Sequence, residues 1–232
     1  MGNIVRKLPI GIQSFDKLRT ENYLYVDKTE FIYQMAYQGV PYFLSRPRRF
    51  GKSLLLSTLE AYFQGKKELF EGLAMEKLEK EWTKHPILHL DLNTRHYKDT
   101  AALASILNEY LEKWEALYGT EKQDRGLEER FSYVIENAYL KTGQRVVILI
   151  DEYDKPLLQN LHDEETQTLL RNALKPFYGV LKSMDRYIRF ALLTGVTKFG
   201  KVSVFSDLNN LDDISMREPY AAICGITETE LR

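Results

Sequence analysis

The sequence is poor in cysteine, in glycine and proline, in net charge and in long apolar runs. Its 232 residues contain one cysteine, Cys224. That rules out an internal disulfide and a Cys/His zinc framework. A reducing compartment is the expectation, with Cys224 as a buried strand residue and not a nucleophile. The 13 glycines and 7 prolines are too few for a collagenous or low-complexity chain. The longest strongly apolar run, Val146–Ile150, falls far short of the roughly 20 residues that cross a bilayer. Residues 1–6 lack the apolar stretch of a secretory signal. Arg6 also stands where myristoylation at Gly2 would call for Ser or Thr. A cytoplasmic chain with no membrane partner is expected. The 32 basic and 33 acidic side chains leave a net charge of −1. Non-specific nucleic-acid affinity comes from an excess of cations, so no direct nucleic-acid binding is expected.

What is present is the profile of a globular chain, 44% hydrophobic and 28% charged. At about 150 residues per domain the length corresponds to one and a half domains. Short apolar segments alternate with amphipathic ones. Strands are expected at 40–44, 87–92, 145–150 and 187–193, with a weaker fifth at 220–224. The run at 145–150 is continuous and β-branched, as a strand covered on both faces should be. Helical spacing recurs over 30–36, 53–63, 101–118, 127–140 and 164–184. Strands separated by helices imply an α/β fold with a parallel sheet and ligands at its carboxyl edge. Gly119–Gly126 reads as an exposed loop. Near the end, Thr227-Glu228-Thr229-Glu230 has capping-box spacing. Residues 227–232 are expected to open a helix that is cut short, after one domain spanning 1–226.

The strongest motif is Ser45-Arg46-Pro47-Arg48-Arg49-Phe50-Gly51-Lys52-Ser53. It follows a predicted strand and opens a predicted helix, the setting of a Walker A P-loop. Backbone amides and the helix dipole would meet phosphate there. Lys52 would reach the β- and γ-phosphates, and the Ser53 hydroxyl would sit on Mg²⁺. Gly51 would allow close backbone approach. The nucleotide-binding run is expected to comprise Arg46, Pro47, Arg48, Arg49, Phe50, Gly51, Lys52, Ser53 and Leu54. Arg46 replaces the pattern's first glycine. If that position were left-handed, Arg would cost about 1–2 kcal/mol. From Phe31 through Leu59 there is no acidic residue, so the loop forms a local basic patch.

A second half lies far downstream. The apolar run Val146–Ile150 ends in Asp151-Glu152, a Walker B arrangement. Asp151 would bind the Mg²⁺ shell, and Glu152 would take a proton from an attacking water. Two adjacent carboxylates repel unless a cation compensates. A basic turn and an acidic helix cap would each explain one half of this pattern, but not both. Asp154 either orients the site with Lys155 as its partner or belongs to a solvated loop. Thr194, closing the fourth strand, is better placed than Thr197 to touch the γ-phosphate or lytic water. His85 and His89 would share a strand face without a third ligand, and no metal is expected there.

These residues resemble the AAA-ATPase-like family of bacterial P-loop proteins over nearly the whole chain. The segments that carry the likeness are Arg46–Ser53, Ile150–Pro156, Thr194–Phe199 and Phe205–Ser215, with Leu8–Gly11 through Tyr25–Thr29. An arginine at position 46 is typical of that family. The resemblance implies a five-stranded, mainly parallel sheet in order 5-1-4-3-2 with helices on both faces. It implies Lys52 and Ser53 as phosphate and magnesium ligands, and Asp151 and Glu152 as metal ligand and water activator. Members typically continue into a helical region and a PD-(D/E)XK nuclease-like domain. Glu152-Tyr153-Asp154-Lys155 has one residue too many for that nuclease spacing. Residues 1–39 would lie near the nucleotide base, where Tyr23 and Tyr25 either stack on it or pack at the sheet edge.

Three functions compete. The first is an Mg-ATP module that hydrolyses the β–γ bond and drives a C-terminal effector domain, with Lys52, Glu152 and Thr194 as its catalytic set. The second binds nucleotide without hydrolysis, as a regulatory module. The third is a small-molecule kinase, which has less need of a glutamate beside the metal aspartate. ATP is favoured over GTP by the resemblance. A homo-oligomer is compatible with all three.

Overall fold

A computed structural model describes residues 6–197 and 211–231. Lys198-Phe199 and Phe205–Asn210, parts of two expected signatures, lie outside the described residues. Five strands form one parallel sheet: β1 (Pro41–Ser45), β2 (Ile87–Asp91), β3 (Val146–Asp151), β4 (Ile188–Gly195) and β5 (Asp212–Asp213). Their spatial order is β2-β3-β4-β1-β5. This is the expected 5-1-4-3-2 order read from the other edge.

Strand periodicity divides the interior in two. Val146, Ile148 and Ile150 of β3 face one core, while Val147 and Leu149 face the other. All six β3 residues are buried, which explains why the segment reads as an unbroken apolar run. On the first face lie α5 (Thr100–Tyr118), α6 (Leu127–Thr142) and α8 (Glu164–Ser183). Their stripes include Leu107, Leu111, Val134, Phe131, Leu174 and Phe177. The second face is covered by α1 (Phe15–Thr20), α2 (Thr29–Gln38), α3 (Lys52–Phe63) and α4 (Ala74–Leu78). The remaining helix, α7 (Lys155–Leu158), follows β3 directly. The sequence gives no periodic signal for α1, α4 or α7. At 6, 5 and 4 residues, they are all shorter than two turns. Among the described residues no helix is long and apolar enough to cross a membrane.

The expected fifth strand is misplaced. Tyr220 closes a 3-10 turn that begins at Glu218, residues 221–224 continue as turns and bends, and the edge strand beside β1 is Asp212–Asp213. Tyr220, Ile223 and Cys224 are buried at spacings of three and four, a helical period and not an alternating one. Pro219 opens the turn and Gly225 leaves it at φ 79°. Cys224 is buried as expected, but in this turn. His85 also lies outside its expected strand, because β2 begins at Ile87.

Register aligns the strand ends. Leu44 pairs with Thr194, Ser45 with Gly195, and Asp91 with Asp151. The residues singled out for chemistry therefore share the carboxyl edge of one sheet. Lys28 Nζ pairs with Glu230 Oε1 at 2.5 Å. The capping box is formed: Thr227 N donates to Glu230 Oε2 at 2.7 Å, and Glu230 N to Thr227 Oγ1 at 3.4 Å.

Candidate functional site

The loop between β1 and α3 turns on two left-handed residues, Arg49 at φ 67° and Gly51 at φ 88°. Position 46 is not one of them, so Arg46 carries no left-handed strain. Gly51 is the N-cap of α3. A Cβ there would approach only Gly225 N, at 4.0 Å. Within the chain itself the glycine is required by its dihedral, not by a close neighbour. Pro47, Arg48, Arg49 and Phe50 are exposed, and Leu54 packs its side chain on the second core. Amides at the start of α3 have no helical acceptor, which suits this end to an anion.

Lys52 is buried beneath the loop. Its Nζ donates to Arg46 O at 3.0 Å and Pro47 O at 3.3 Å. It also pairs with Glu152 Oε1 at 3.1 Å. Ser53 Oγ donates to Asp151 Oδ2 at 2.6 Å, across 98 residues of sequence. Thr194 Oγ1 donates to the other oxygen, Oδ1, at 2.5 Å. Asp151 thus joins the first turn of α3 to the end of β4. Ser53 and Asp151 present hard oxygens side by side. That donor set suits magnesium, which takes one or two carboxylates together with phosphate oxygens. No group of three or more His, Cys, Asp or Glu that could hold a metal ion occurs among the described residues.

Burial pushes the Glu152 carboxyl above its ordinary value of 4.5, and the nearby Asp151 and Asp154 add to this against the pull of Lys52. Glu152 sits at φ 54°, a left-handed conformation for a residue with a Cβ. Two neighbours hold it there. Tyr153 N donates to Thr194 O at 2.9 Å, and Asp154 is fully buried, accepting from Thr197 N at 2.8 Å. The solvated-loop alternative for Asp154 is thereby excluded. Lys155 is not its partner, since Lys155 Nζ donates to Asn93 Oδ1 at 3.0 Å.

The Arg46 guanidinium turns from the loop to backbone carbonyls. It donates to Ser45 O at 3.1 Å, to Ser215 O and to Tyr220 O at 3.2 Å. Any contact of Arg46 with a phosphate would therefore come from its backbone. Tyr25 packs edge-on against Phe15 with ring centroids 5.2 Å apart. Its neighbour Tyr23 is bridged to Lys7, whose Nζ lies 5.5 Å from the ring centre. Burial raises the Cys224 thiol to about 11, although Arg46, Lys52 and Lys28 pull it down. His85 Nδ1 lies 2.8 Å from Arg145 O, and His89 Nδ1 2.9 Å from Glu60 Oε2.

Sequence reasoning passed over Asp91. It ends β2 beside Asp151, and burial together with that neighbour raises its carboxyl. The available signal was a second apolar strand closing on an aspartate, as β3 does. Gly195 was also passed over as a packing requirement. A Cβ there would lie 2.4 Å from Tyr153 Cε1 and 2.8 Å from Asp154 Oδ1.

A family model described as predicted AAA-ATPase matches residues 9–205. The chain is 46% identical over 228 residues to an uncharacterized protein in the vnfD 5' region of Azotobacter chroococcum mcd 1. That alignment covers 97% of this chain and 44% of the relative, so the chain spans under half the relative's length. No solved structure matches. That family model covers most of the chain and the sheet has the implied order, so the chain belongs to the predicted AAA-ATPase family.

Proposed function

We propose that this chain is an Mg-ATP-binding module that hydrolyses the β–γ phosphate bond. The observation that carries the reading is the convergence of Lys52, Ser53, Asp151 and Glu152 at one strand edge, joined by contacts of 2.6 and 3.1 Å. Lys52 would exchange its carbonyl and carboxylate partners for phosphate oxygens. Ser53 and Asp151 would hold magnesium, which when bound neutralises charge on the β- and γ-phosphates. Glu152, its carboxyl raised by burial, would take a proton from the attacking water. Thr194, tied to Asp151, would orient that water or the γ-phosphate. The loop Arg46–Leu54 would offer its amides, with Arg48 and Arg49 free to add positive charge. Residues 1–39 would lie towards the base, and the work would be delivered to a C-terminal effector domain.

Two substitutions test this. Lys52→Ala should abolish Mg-ATP binding. Glu152→Gln should keep binding and lower turnover by about a hundredfold or more. Normal hydrolysis by Glu152→Gln would remove the general-base role. A second reading, binding without turnover, is favoured by one observation: the Glu152 carboxylate is already engaged by Lys52. Tight Mg-ATP binding with no hydrolysis would select it.

A further inference from the structure

Asp154 is a fully buried carboxylate with no cation paired to it among the described residues. Burying a charge without an opposite charge is costly unless several donors converge on it. Here three groups of one short segment do so. Val196 N donates to its two oxygens at 3.3 and 3.2 Å, Thr197 N to Oδ2 at 2.8 Å and Thr197 Oγ1 to Oδ2 at 2.9 Å. The adjacent Tyr153 ties the same two strand exits together: its N donates to Thr194 O at 2.9 Å and its hydroxyl to Thr197 O at 3.0 Å. Gly195 leaves the space in which this junction fits.

We infer that Asp154 is a positioning residue: by fastening Val196–Thr197 to the turn after β3, it sets the orientation of both Glu152 and Thr194. Glu152 lies two residues before Asp154 and in a left-handed conformation. Such a conformation persists only where the surroundings over-determine it. The β3 ladder fixes it on one side and the Asp154 junction on the other. Thr194 lies two residues before Val196 and is fixed to Asp151. One carboxylate therefore braces two walls of the candidate phosphate pocket without facing it. The catalytic part of this inference rests on the ATPase reading above.

The experiment uses the full chain and the variants Asp154→Asn and Thr197→Val. Asparagine keeps one acceptor but sets an NH₂ against backbone donors, so the junction loosens without a change of size. Asp154→Asn should bind Mg-ATP within about threefold of wild type and lose about tenfold or more in kcat. Amide exchange should quicken at Val196 and Thr197 and through 152–154, while β1 and the first turn of α3 stay unchanged. Thr197→Val should show the same pattern at smaller size, and the double variant should add little to Asp154→Asn. Parallel losses of binding and turnover, exchange quickened across the whole sheet, or an unaltered kcat would each overturn the inference. If wild type binds Mg-ATP without turning it over, the ATPase reading fails separately. Asp154 is then decided by exchange alone, and unchanged protection at 152–154 in Asp154→Asn overturns its bracing role.

Discussion

A methyl group at position 195 would overlap the Tyr153 ring and crowd the Asp154 carboxylate. Both neighbours are completely buried, so neither can swing into solvent. Gly195→Ala should therefore destabilise the chain by about 1–3 kcal/mol through overpacking. Thermal unfolding should show this as a melting point lower by several degrees, and an unchanged melting point would contradict it. Glu152 poses a different demand. Its carboxyl is raised above 4.5 chiefly by burial, so the folded chain holds that proton more tightly than the unfolded chain. The resulting stabilisation is present below pH 4.5 and is lost as pH rises through the higher folded value. Glu152→Gln should accordingly match wild-type stability in acid and exceed it increasingly towards neutral pH. Denaturant melts across that range check the sign. At this scale the sequence displays donors and acids in order, and Lys52, Ser53, Asp151 and Glu152 are legible from it. The role of Arg46 is not, because a guanidinium looks the same in sequence whether it meets a phosphate or carbonyls 169 and 174 residues away.

Helices α5 and α6 meet through an ion pair buried between them. Arg130 Nε and Nη2 donate to the two oxygens of Glu115 at 2.7 and 2.8 Å, and the side chains are 8% and 0% exposed. Both groups favour their charged forms through this bond. Removing one partner strands the other, so Glu115→Ala should cost about 3–5 kcal/mol. Removing both with apolar residues should cost less, and equal losses in a chemical-denaturation cycle would deny the pairing its weight. The start of α5 offers a smaller test. Asp99 accepts from Ala102 N at 2.8 Å as an N-cap, and Asp99→Ala should cost about 1 kcal/mol. Long elements were legible because many residues repeat one period: α5, α6 and α8 carry 19, 16 and 20 residues. The two-residue β5 and the shortest helices repeat nothing. Tertiary contacts alone define them, as when Ile214 N reaches Phe43 O at 3.0 Å.

Across the whole molecule, the segment 211–231 closes back on the loop after β1. Ser45 N donates to Ser215 Oγ at 2.9 Å, and the Arg46 guanidinium binds the carbonyls of Ser215 and Tyr220. The single cysteine reports on this closure, since Cys224 is 9% exposed with its thiol raised to about 11. Arg46→Ala should unfasten the segment and speed native-state alkylation of Cys224 several-fold. An alkylation rate equal to wild type would show that the segment is held by other contacts. The sequence by itself determined the α/β class, the four main strands, the long helices and the two acid and base motifs. Period, run length and residue chemistry are properties of neighbours along the chain, so they survive without coordinates. Only the tertiary structure decided that β5 falls at Asp212–Asp213, that Arg46 grips the returning segment, and that Asp154 ties two strand exits together. Each of those depends on the direction of a side chain toward a partner dozens of residues away, and direction is fixed only when the sheet has formed.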